Sequence, residues 1–172
     1  MTAKLMPDTK APALTVDLVG GGRFDLAAET PGNFTMVIFY RGYHCPVCKG
    51  YLQKLNALVG QCEEAGLSVV AISMDSAERA AMSAEEWELS NVRIGHGLGE
   101  DIARQWGLYI SKAIRDTEAG VFCEPGLFWV RPDGRLYLID IANMPWPRPD
   151  VEFLLSKVAF AVEKGYPARG NH

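Results

Sequence analysis

The residue types best suited to chemistry are concentrated in FYRGYHCPVCKGYLQKL (39–55), where Cys45 and Cys48 stand three apart, with Arg41 and His44 just before them. Two thiols at this spacing support metal binding, a structural disulfide, or a dithiol that cycles with its disulfide. A metal site needs further ligands. Cys62 and Cys123 are isolated, and His96 and His172 lie in no paired spacing, so no second ligand pair accompanies the first. A structural disulfide closing so short a loop adds little stability. The redox reading is the strongest of the three.

That reading depends on the elements around the pair. FTMVIFY (34–40) is a buried strand, and Pro46 suits the first helical position because its missing N–H has no partner there. Leu52, Leu55, Leu58, Val59 and Cys62 keep helical spacing, and Gly66 supplies a stop. Cys45 is therefore expected at or next to the N-cap, with Cys48 one turn in on the same side. The free N–H groups and partial positive charge of a helix N-terminus favour a thiolate, and Arg41 or His44 would add to this.

Further along, LTVDLV and RFDL read as strands around the turn Gly20–Gly22, and LSVVAIS (67–73) as a second buried strand. Asp75 with Glu78 predicts a capping-box-like start to a helix ending near Leu89. GEDIARQWG (99–107) predicts a short helix, and GLFWVRPDGRLYLIDI a hairpin turning at Asp133-Gly134. The proline-rich NMPWPRP then leads to a last helix with Val151, Leu154, Leu155, Val158 and Val162 on one face. Strand, helix, strand implies a right-handed parallel crossover, and the hairpin adds antiparallel strands. The expected fold is α/β, a mixed central sheet with helices on both faces, in one domain spanning 1–172.

Composition narrows the function classes. The 172 residues are 48% apolar and 22% charged, as in a globular domain. A net charge of −4, with thinly spread basic residues, offers no footprint for nucleic acid. No apolar run suggests a leader or a membrane span, so a cytoplasmic protein without a membrane partner is expected. GHGLGED lacks the strand–turn–helix context of a dinucleotide site.

Strand, CPVC, helix, second strand, then a proline before a hairpin and a last helix: this order resembles the thioredoxin fold. More closely, FYRGYHCPVCKGYLQKL, AISMDSAERA, IARQWGLYIS, EPGLFWVRPDGRLY and MPWPRP with KGYPARG resemble the peroxiredoxin-like branch of the AhpC/TSA family. The resemblance implies an antioxidant thiol oxidoreductase that reduces hydroperoxides and is restored by a thiol donor of the thioredoxin or glutathione type, with no cofactor. In the family register, Cys48 matches the peroxide-attacking cysteine, and Cys45 replaces a hydroxyl residue. Arg41 replaces a proline, and Pro125 stands where an arginine is kept. Arg41 is the expected substitute for that arginine. The wider thioredoxin comparison instead makes Cys45 the nucleophile, Cys48 the resolver, and Pro125 a candidate cis-proline.

Two other functions stay open at this point: a thioredoxin-like protein disulfide reductase without peroxidase activity, and a non-catalytic binding module. His44 either tunes the thiolate or packs on its loop. Cys62 reads as a buried apolar residue, Cys123 as a thiol near the pair, and His96 as part of a loop. Phe153 and Phe160 form a second apolar stripe on the last helix; left exposed, it would suit a homodimer.

Overall fold

The computed structural model describes residues 4–172; the first three residues of the N-terminal stretch read for a leader lie outside it. Strands β1 (Thr15–Leu18) and β2 (Arg23–Asp25) form the expected hairpin through Gly20–Gly22, all three with positive φ. Then come β3 (Phe34–Phe39), α1 (Pro46–Glu64), β4 (Leu67–Ile72), α2 (Ala77–Glu86) and β5 (Arg93–His96). They are followed by α3 (Glu100–Gln105), β6 (Ile110–Lys112), β7 (Val121–Cys123), β8 (Gly126–Val130) and β9 (Leu136–Ile141). Two short helices, α4 (Val151–Leu155) and α5 (Val158–Glu163), end the chain.

The main sheet has seven strands in the order β2-β1-β5-β4-β3-β8-β9, and β6 pairs with β7 separately. Strands β3, β4 and β5 are parallel, while β8 runs antiparallel to β3 and β9 to β8. This is the expected thioredoxin-like mixed sheet. Alternation along β3 sends Met36 and Ile38 to one face and Val37 and Phe39 to the other. The first face packs on Leu52, Leu55 and Val59 of α1, with Trp87, Val151 and Val158; the second packs on Leu14, Phe24 and Trp106. Burying each such side chain contributes about 2 kcal/mol. Among the described residues, no helix is long and apolar enough to cross a membrane.

Several expectations are corrected. His96 closes β5, a strand whose sequence, RIGH, offers one strongly apolar residue, too few to signal a strand by alternation. The N-cap of α2 is Ser76, whose Oγ accepts the Arg79 N–H at 3.3 Å, and the helix ends at Glu86. Asp75 has other partners. The last helix is broken at Ser156–Lys157, and Val162, expected on the core face, is 46% exposed while Ala161 turns inward. Phe153 and Phe160 are exposed, as the stripe requires.

Candidate active site

Strand β3 ends at Phe39, and the next five residues turn the chain into α1. Gly42 sits at φ +133°, and a β-carbon there would lie 2.7 Å from a carboxylate oxygen of Asp75. Only glycine fits this approach. Asp75 is 2% exposed and accepts the Tyr43 N–H at 2.8 Å, while its other oxygen pairs with Arg79 Nε at 3.3 Å. Arg79 in turn donates to the Thr117 carbonyl at 3.1 Å. The loop entering α1 is thus anchored by a buried, paired carboxylate.

Cys45 is the N-cap of α1 with Pro46 first in the helix, and its sulfur accepts the Cys48 N–H at 3.2 Å. A sulfur in this place takes the role that a Ser or Asp oxygen has at ordinary helix starts. Cys45 and Cys48 are 1% and 0% exposed, and neither is in a disulfide. The Cys48 thiol, donating to Cys45, holds the Cys45 thiol well below the ordinary range; the Cys48 N–H, Arg148 and Arg41 add to this against burial. Burial, and then the hydrogen bond given to Cys45, push Cys48 up, with Arg148 opposing. Of the two sulfurs, Cys45 is therefore the more readily ionised.

Two arginines flank the pair. Arg148, from the proline-rich connector, donates Nη2–H to Cys48 Sγ at 2.8 Å and Nε–H to the Pro145 carbonyl at 2.9 Å. It lies over the Tyr51 ring at 4.9 Å, and the Tyr51 hydroxyl donates to the Pro149 carbonyl at 2.7 Å, tying connector to helix. Sequence reasoning missed Arg148. It is 100 positions from Cys48, and its signal is an arginine held between Pro147 and Pro149 in a stiff segment. Arg41, which also lowers Cys45, is 3.0 Å from Glu124 and lies 4.9 Å over the Phe122 ring.

Of the remaining expected residues, His44 packs its ring on Phe122 at 4.6 Å. Burial first, and then Arg41, hold its pKa down, so it is neutral and adds no cation. Pro125 is buried at the start of β8, and the expected cis bond is absent: among the described residues every peptide bond is trans. The Glu124 N–H donates to the Tyr109 carbonyl at 2.8 Å, and the Pro125 carbonyl accepts from Ala142 at 3.0 Å. Both sides of the bond are committed to extended pairing, so the chain makes no reversal there. Cys123 is fully buried, its thiol on the Tyr40 carbonyl at 3.6 Å, and burial pushes it up to about 12. Cys62 lies in the core with its thiol pushed up by burial to about 11. Both are inert thiols in the reduced protein.

The AhpC/TSA family matches residues 7–139, from ahead of β1 to within β9. The chain belongs to the AhpC/TSA family. This peroxiredoxin-like member is a thiol-dependent oxidoreductase. It is 29% identical over 136 residues to a Mycobacterium tuberculosis protein provisionally named a peroxiredoxin, covering 78% of this chain and 84% of that one. Its fold matches a peroxiredoxin-like protein from Aquifex aeolicus with TM-score 0.74 at 17% identity, over 92% and 88% of the two chains. A variant of peroxiredoxin 6 from Arenicola marina matches with TM-score 0.79 at 16% identity, over 98% and 80%.

In this family member an open groove of about 630 Å³ runs beside α1, lined by Val47, Tyr51 and Leu58 on the helix and by Trp146 and Arg148 on the connector. Val47 and Trp146 are 40% and 68% exposed. Arg148 therefore faces both the groove and the Cys48 sulfur.

Proposed function

We propose that this chain is a peroxiredoxin-like thiol peroxidase in which Cys45 attacks and Cys48 resolves. The observation that carries the reading is the Cys45 sulfur at the helix N-cap, accepting the Cys48 N–H with two arginines beside the pair. The Cys45 thiolate attacks the outer oxygen of a hydroperoxide. The O–O bond breaks, Cys45 becomes a sulfenic acid, and the alkoxide leaves. Its proton comes from the Cys48 thiol, and the positive charge of Arg148 and Arg41 steadies the departing oxygen. The Cys48 thiolate then attacks the Cys45 sulfur, the S–O bond breaks as the disulfide closes, and the departing hydroxide takes a proton from solvent to leave as water. An external thiol donor supplies the two electrons that restore the dithiol.

This division of labour departs from the family register, which gives the attack to Cys48. Charge favours Cys45: its thiol is held down while that of Cys48 is pushed up, so Cys45 is the nucleophile that needs no prior proton transfer. Stopped-flow oxidation of the reduced protein by hydrogen peroxide tests the peroxidase reading, with a rate well above that of a free thiol expected. A rate no better than a free thiol's, with fast reduction of a protein disulfide, would leave a thioredoxin-like reductase instead. We further propose a single cytoplasmic domain, and a homodimer seated on exposed Phe153 and Phe160. Light scattering showing a monomer at high micromolar concentration would remove the dimer.

A further inference from the structure

We infer that Glu124 is a positioning residue that presents Arg41 to the cysteine turn, held in place by Ser111 and opposed across Arg41 by Phe122. The inference rests on Cys45 being the resting thiolate. Glu124 is 4% exposed, one of few buried charged residues, and lies one position before β8. One carboxylate oxygen accepts the Ser111 hydroxyl at 2.7 Å, and the other faces Arg41 Nε at 3.0 Å. The Glu124 N–H is fixed on Tyr109, so the carboxylate projects from backbone tied to the segment that leads into β6. Arg41 is only 20% exposed at its side chain and lies against Phe122, whose ring also packs on His44.

A buried carboxylate near a thiolate would by itself disfavour that thiolate, since like charges repel. Here the carboxylate is paired with the Arg41 guanidinium at 3.0 Å, and that same guanidinium lowers Cys45. Arg41 lies in the loop between β3 and α1, and its guanidinium is held by Glu124 and the Phe122 ring. Without Glu124, its charge would turn toward solvent and its hold on Cys45 would weaken. The charged or titratable groups that act on Cys45 are Cys48 on α1, Arg148 on the connector, and Arg41 on its own loop. Glu124 thus acts through Arg41 alone.

The test is the thiolate titration of reduced protein, followed by ultraviolet thiolate absorbance in the wild type, Glu124→Ala, Arg41→Ala and the double variant. Removing Glu124 should raise the lower thiol midpoint by about one pH unit, a tenfold weaker acid. In the Arg41→Ala background the same removal should leave the midpoint unchanged or lower it, because only a repelling charge is lost. Ser111→Ala keeps every charge and is mild for folding; it should move the midpoint up by about threefold in acid strength, and it decides the matter if Glu124→Ala does not fold. A midpoint that falls or stays fixed in Glu124→Ala, a rise of equal size in both backgrounds, or no movement in Ser111→Ala would overturn the inference. The titration needs no peroxide, so a protein that proves inactive toward hydroperoxides would still answer it.

Discussion

Of the two arginines tied to the cysteine pair, Arg41 is backed by a carboxylate 5% exposed at its side chain and packed against an aromatic ring. The other, Arg148, hangs from a proline-rich connector, meets Cys48 at 2.8 Å, and faces an open groove. The same residue type does different work in the two places. Arg41, fixed by buried charge, adds to the lowering of Cys45 that the Cys48 hydrogen bond begins. Arg148 lines the groove and touches the Cys48 sulfur, so on the proposed reading its charge serves both the thiolate and the departing oxygen. In this chain, how an arginine is supported decides whether it tunes a group or meets a substrate.

Breaking the groove side should cost most. Arg148→Ala removes the cation on Cys48 and the tie to Pro145, and peroxide oxidation should slow about a hundredfold, as when one oxyanion donor is lost. Stopped-flow traces on the reduced variant check this. A loss below about threefold would show that the groove-side arginine is not part of the chemistry.

Breaking the fixed side should cost less in rate and leave a pH signature. The rate follows the Cys45 thiolate, so it rises with pH and levels off once the thiol is ionised. Because that thiol is held down, the rise falls below the ordinary thiol value of about 8.5. In Arg41→Ala the limb should move to higher pH by about one unit, with about a twofold loss at neutral pH that grows toward tenfold in acid and vanishes in alkali. A uniform loss at every pH would show that Arg41 acts on the transition state instead. The same variant leaves Glu124 buried without a partner, and its unfolding free energy should fall by about 3 kcal/mol.

The anchor behind the loop sharpens the contrast through stability. Asp75→Ala strips the Tyr43 N–H and Arg79 of their shared acceptor and should cost about 3 kcal/mol in denaturant unfolding. The smallest effect is expected at His44. His44→Phe should keep the rate within about twofold, since a neutral ring packed on Phe122 supplies only contact area.

What could be read from the sequence follows the range of the interaction. The strand into CPVC, the helix opening at Pro46, the stop at Gly66 and the hairpin at Asp133-Gly134 are local signals, and each stands where it was expected. Arg148 was beyond reach because its meeting with Cys48 exists only after β8 and β9 have carried the connector back to α1. Asp75 was misread because its carboxylate serves a loop 32 positions earlier, while Ser76, next in the chain, takes the cap. The trans bond at Pro125 likewise depends on partners in Tyr109 and Ala142, which no local pattern names. The break in the last helix at Ser156 has a local cause visible afterwards: the hydroxyl donates back to the Phe153 carbonyl at 2.6 Å.

The assignment of attacker and resolver is the centre of this account, and one measurement reaches it directly. Reduced Cys48→Ser and Cys45→Ser proteins are each given one equivalent of hydrogen peroxide in the presence of a sulfenate trap, and the adduct is located by mass spectrometry. The account predicts a trapped sulfenic acid on Cys45 of Cys48→Ser, formed far faster than on a free thiol, and little adduct in Cys45→Ser. An adduct on Cys48 of Cys45→Ser, with none on Cys45 in the other variant, would contradict it and return the attack to the sulfur that Arg148 holds.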